Sequence, residues 1–100
     1  MAEGLAALPT WLLRFPAETR LCRFDRESLV FNPLSWETHL VNDSAAQVVA
    51  ALAEGPQYFA ALVERMREAG MTDHDGLSVE EQLEGLLVEL ENLGIAMRRA

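Results

Sequence analysis

The sequence predicts an α+β domain of winged helix-turn-helix-like layout, with a three-stranded antiparallel sheet followed by three helices. Two observations carry this expectation. Between residues 20 and 41, short β-forming runs alternate with polar turns; after Asn42 the apolar residues recur at helical spacing. The chain has 100 residues, half of them apolar and 24% charged, which suits one domain with one modest core rather than a disordered chain.

The elements follow in order. Residues 1–10 carry few anchors beyond Leu5 and Leu8 and read as a flexible N-terminal arm, leaving 11–100 as the single domain. Trp11 opens a stretch of strand-like texture. Arg20–Phe24 reads as a first strand, Asp25-Arg26-Glu27 as a polar turn and Ser28–Phe31 as a second strand rich in β-formers. Asn32-Pro33-Leu34-Ser35 has the signature of a type I turn, with Asn accepting a bond and Pro presetting φ. Trp36–Val41 is the third strand. Connections this short make neighbours antiparallel, so the three form a meander with the third strand at its edge.

Asn42-Asp43-Ser44 offers capping side chains, and Ser44 with Gln47 has capping-box spacing. Ala45, Val48, Val49 and Leu52 then mark a helix that Gly55-Pro56 ends. A second helix spans about 57–69, burying Phe59, Leu62, Val63 and Met66, and Gly70 closes it. Met71–Leu77 is a polar connector. Ser78 with Glu81 is a second capping box and opens the longest helix, whose core stripe is Leu83, Leu86, Leu87, Leu90 and Leu93 before Gly94. Ile95-Ala-Met97 supplies a further short strand or wing. Each helix is too short to stand alone, so the three pack together over one face of the sheet.

Charge narrows the function classes. Sixteen acidic residues face eight arginines and no lysine, for a net charge of −8, and ten of the sixteen acids lie in residues 51–100. Nucleic-acid binding depends on cations set against phosphates, so this surface disfavours DNA and RNA. No apolar run reaches the length of a membrane span, and the N-terminal stretch lacks the basic region of a secretory signal. The single cysteine, Cys22, fits a reducing, cytoplasmic setting.

Catalytic or metal chemistry needs several groups converging. Cys22, mid-strand and without a nearby Cys or His, reads as a buried small hydrophobe rather than a nucleophile. His39 reads as a surface or interface imidazole. Asp73-His74-Asp75-Gly76 lacks the remaining calcium-loop positions and reads as an acidic turn. With no phosphate loop, paired-Cys motif or nucleophile elbow, the sequence points away from an enzyme and implies no cofactor and no metal.

Two candidate binding surfaces remain. Trp36, Glu37, Thr38, His39, Leu40 and Val41 form an edge strand with no internal lysine or proline to guard its open ladder, which invites a peptide to add as a further strand. Alternation puts Trp36, Thr38 and Leu40 on one side and Glu37, His39 and Val41 on the other; Trp36 and Leu40 are expected to face inward. On the last helix Glu80, Glu84, Leu87 and Glu91 share a stripe beside the leucines. Packed next to the edge strand, that stripe makes a groove with an apolar floor and acidic walls, suited to a peptide with apolar and basic side chains.

These stretches resemble the PqqD-like proteins, small peptide chaperones (precursor-peptide or RiPP recognition elements), and most of all the subgroup in cassettes with an HPr-kinase-related protein. The similarity rests on Val30-Phe-Asn-Pro33, Glu37-Thr-His-Leu-Val-Asn42 with the alanines after it, Leu52-Ala-Glu-Gly-Pro56 and Leu86-Leu-Val-Glu-Leu-Glu-Asn-Leu-Gly-Ile95. Together they span about residues 20–97. The resemblance implies a cytoplasmic peptide-binding adaptor in which the leader segment of a ribosomally made precursor adds to the third strand beside the third helix. The adaptor then presents it to a peptide-modifying enzyme. Carried over, the peptide-binding residues are Trp36, Glu37, Thr38, His39, Leu40 and Val41 on the strand, and Glu80, Leu83, Glu84, Leu87 and Glu91 on the helix. The connector 71–77 departs from the family in being long and acidic.

Two other classes stay open. One is a structural or oligomerising subunit, such as a homodimer, in which a partner chain covers the edge strand. The other is a winged-helix transcription regulator, which needs basic residues on the last helix or wing, where only Arg98 and Arg99 qualify.

Overall fold

The computed structural model describes residues 10–16, 18–24, 27–32 and 37–99. The expected arm up to residue 9, the turns at 25–26 and 33–35, and Trp36 lie outside these. The described elements run β1 (Thr10–Leu13), β2 (Arg20–Phe24), β3 (Glu27–Asn32), β4 (Glu37–Asn42), α1 (Asp43–Ala53), β5 (Gln57–Tyr58), α2 (Phe59–Glu68), α3 (Val79–Asn92) and β6 (Ala96–Arg99). The fold is α+β, with three helices and two three-stranded antiparallel sheets, ordered β5-β1-β6 and β2-β3-β4.

The meander β2-β3-β4 is the sheet that the sequence predicts. Leu21 pairs with Val30 and Val30 with His39; Cys22 pairs with Leu29 and Leu29 with Leu40. The other sheet is new. Thr10 begins β1 rather than ending an arm, and Trp11 and Leu13 turn inward from it at 3% and 2% exposure. The expected C-terminal strand is β6, which joins β1 from Thr10↔Arg99 to Leu13↔Ala96. Gln57 and Tyr58, expected to open the second helix, instead pair with Trp11 and Thr10, so α2 starts at Phe59. The Gln57 amide holds this turn by donating to the Ala51 carbonyl at the end of α1.

The start of α1 also differs from expectation. The cap is Asn42, whose side-chain oxygen accepts from the Ala45 N–H at 2.8 Å, while Gln47 donates to Asp43 rather than completing a box with Ser44. The reason is that β4 runs into α1 without a loop. Asn42 is still paired with Glu27, so its extended backbone (φ −75°, ψ 173°) already has the conformation that a cap needs. The Ser78–Glu81 box forms as the spacing predicts. α2 and α3 both end in Schellman turns, in which Gly70 (φ 103°) and Gly94 (φ 79°) take left-handed backbone. There Met71 N–H bonds the Met66 carbonyl and Ile95 N–H bonds that of Leu90.

The three helices pack on one another, and α1 is the one shared between the sheets, touching β1 and each strand of the meander. Its Ala45, Ala46, Val48, Val49 and Leu52 form the centre of the core with Val30, Leu62, Leu83, Leu87, Leu90 and Ile95. Buried Asn32 ties the end of β3 to the end of α3 through a hydrogen bond from its side-chain amide to the Leu93 carbonyl. Among the described residues no helix is long and apolar enough to cross a membrane.

Candidate functional site: an edge strand and the cleft at its end

β4 pairs with β3 on one side and has no other strand partner among the described residues. It is the sheet edge, as the meander requires, but its faces are the reverse of those expected. Val41 is 6% exposed and His39 half-buried on the helix side, while Leu40 is 59% exposed and Thr38 open. The junction with α1 decides this. Val41 lies next to the capping residue and opposite buried Ser28, so it turns under α1, and Leu40 must then face away. The outer row runs Cys22, Leu29, Leu40. Cys22 is accordingly an exposed thiol and not the buried hydrophobe expected, because Leu21 takes the core side of β2.

Beside the C-terminal end of β4 an open cleft of about 390 Å³ separates the start of α1 from α3. Asn42 and Ser44 form one wall. Glu81, Gln82, Gly85, Leu86 and Glu89 form the other, and Met71 and Leu77 of the connector close one side. The connector is held in place from both ends. Gln82 donates to the carbonyls of Thr72 (2.8 Å) and Leu77 (3.2 Å), and Asp73 accepts from the Val79 N–H at 3.1 Å. Between them His74-Asp75-Gly76-Leu77 is a two-residue hairpin turn with positive φ at Asp75 and Gly76, so the acidic run folds as a turn whose Asp73 serves the N-terminus of α3.

The helix wall of this cleft is not the stripe picked from sequence. At about 100° per residue, Glu81, Gly85, Glu89, Gln82 and Leu86 cover one flank of the leucine stripe, and Glu80, Glu84 and Glu91 lie on the opposite flank. The predicted flank is turned elsewhere and mostly neutralised: Glu80 pairs with Arg67 of α2 at 3.0 Å, and Glu91 with Arg98 of β6 at 3.2 Å. Leu83 and Leu87, expected to floor the groove, are both 0% exposed and belong to the core. A leucine stripe has two flanks, and nothing in the spacing says which one meets the sheet. Sequence reasoning therefore missed Asn42, Gln82, Gly85, Leu86 and Glu89. The one signal it held was Gly85, a glycine inside a helix that its own pattern does not explain.

On the cleft flank Glu81 and Glu89 form no ion pair among the described residues. The Glu81 carboxyl is held below the ordinary carboxylate range, first by the Ser78 backbone N–H and then by the Ser78 hydroxyl, so it is anionic at neutral pH. Leu77 is 46% exposed, with Met71 and Leu86 half-buried beside it. The site thus combines a strand with no second strand partner among the described residues, apolar lining and carboxylates without an ion-pair partner there, a set suited to binding an extended cationic chain. Among the described residues no three His, Cys, Asp or Glu side chains gather closely enough to hold a metal ion. No family model matches the chain, and no curated protein or solved structure matches it.

Proposed function

We propose that the protein is a non-catalytic peptide-binding adaptor that takes a segment of another polypeptide as an added strand on β4 and holds its continuation in the cleft beside α3. The observation that carries this reading is the adjacency of the two features. A strand with one neighbour among the described residues ends at Asn42, and the same Asn42 lines a cleft with apolar and acidic walls. Backbone pairing supplies affinity without regard to sequence, and the cleft supplies selection. The resemblance to PqqD-like chaperones makes the bound chain the leader of a ribosomally made precursor and the recipient a modifying enzyme. The exposed single thiol of Cys22 suits a reducing, cytoplasmic compartment. Against a DNA-reading role, α3 carries no basic residue, and Arg98 is engaged by Glu91.

The test is an NMR titration of labelled protein with a synthetic peptide from a short reading frame encoded beside this one. Saturable shifts confined to 37–42 and 81–89 support the adaptor; shifts elsewhere, or none, reject it. A second reading, a homodimer joined through β4, draws on the exposed Leu40 in line with Leu29 and Cys22. It predicts a doubled mass by sedimentation and β4 amides protected without any peptide.

A further inference from the structure

Gly85 makes no side-chain-sized packing contact among the described residues. It sits mid-helix in α3 with ordinary helical backbone, is exposed, and a Cβ placed there meets nothing within 4 Å. Glycine at such a position weakens the helix relative to alanine, since it adds backbone entropy to the unfolded chain and gains no contact. What distinguishes its place is the cleft. Gly85 lies in the wall halfway between Glu81 and Glu89, four residues from each, and leaves the helix backbone bare between two carboxylates. Leu86, Met71 and Leu77 supply the apolar surface around it.

Resting on the adaptor reading above, we propose that Gly85 is the specificity-determining position of the cleft: it admits a large apolar side chain of the bound peptide against bare helix backbone, flanked by basic side chains at Glu81 and Glu89. The spacing fixes the pattern. Four residues of helix advance about 6 Å, and two residues of strand about 6.6 Å. A strand lying along α3 with its apolar residue at Gly85 therefore brings the residues two before and two after it level with Glu81 and Glu89, on the same face. The preferred segment is basic-x-apolar-x-basic. The charge complementarity favours this flank, because on the other flank the carboxylates of Glu80 and Glu91 already have arginine partners and only Glu84 has none among the described residues.

The experiment uses a short fluorescent peptide with Lys-Thr-Leu-Thr-Lys at its centre, a second with Glu in place of both Lys, and the full chain as wild type, Gly85→Leu and Glu89→Gln. The open space at Gly85 and the better helix propensity of leucine leave Gly85→Leu folded, with Tm equal to or above wild type. Filling the pocket lowers affinity for the first peptide by about tenfold or more, a change of roughly 1.4 kcal/mol. Glu89→Gln weakens it less and flattens its salt dependence, and the Glu peptide binds wild type poorly. Equal affinity of wild type and Gly85→Leu, with β4 amides still shifting on binding, overturns the role of Gly85 and leaves strand addition standing. No shift at β4 with either peptide, or a doubled mass without peptide, overturns both.

Discussion

The two flanks of α3 carry similar charge and have opposite roles. On one flank Glu80 and Glu91 are tied to Arg67 and Arg98, which link α3 to α2 and β6. On the other, Glu81 caps the helix through Ser78, Glu89 has no ion-pair partner among the described residues, and Gly85 interrupts the side chains between them. The first flank joins elements of one molecule. The second faces an open cleft at the end of an edge strand. An acidic helix is thus not one feature: the partners available on each side decide whether its carboxylates hold the fold together or line an open cleft.

The largest effect expected from breaking this contrast comes from the stripe between the flanks. Leu87→Arg places a charge where the native side chain has no exposure, and should cost about 4 kcal/mol or more, enough to leave the chain unfolded in urea or thermal melts. A folded Leu87→Arg protein would mean that the residue is a surface position after all. Next are proline substitutions in β4. N–H groups alternate in direction along an antiparallel strand, so of Thr38→Pro and His39→Pro one removes a bond to β3, costing about 1–3 kcal/mol in stability. The other spares the ladder and abolishes peptide binding with the fold intact. Equal binding by both variants argues against strand addition.

Charge changes separate the flanks directly. Glu89→Arg should weaken a basic peptide by about tenfold at low salt, whereas Glu91→Gln should leave its affinity within about twofold. The reverse ranking would move the site to the other side of α3. A subtler difference lies in pH. The folded-state pKa of Glu81 is lowered by Ser78, so its contribution to stability is fully present above the ordinary carboxylate value and is lost as pH falls through the folded value. The stability gap between wild type and Glu81→Gln should shrink on acidification. The smallest effect is Glu80→Ala, an exposed pair worth about 0.5 kcal/mol or less by denaturant melts.

Local signals made much of the fold legible. The Ser78–Glu81 box, the glycines closing α2 and α3, and the antiparallel pairing of the meander strands depend on neighbours close in sequence, and each appears where the sequence puts it. What escaped depends on distant partners. β1 is a four-residue strand whose main partner is 89 residues away at Thr10↔Arg99, and Gln57-Tyr58 becomes a strand only because β1 lies beside it. The strand half of the candidate site was readable as an edge, though which face of β4 turns inward depends on the loopless junction at Asn42. The helix half was placed on the flank opposite the cleft. Periodicity gives angles about a helix axis, but not the direction of the sheet from that axis.

Hydrogen exchange at β4, measured by NMR with and without peptide, tests strand addition most directly. The adaptor account predicts that alternate amides among residues 37–41 exchange rapidly in the free protein and become protected when peptide binds, while their neighbours, bonded to β3, stay protected throughout. Bound peptide that leaves the fast amides fast, or amides all protected before any peptide is added, would contradict it.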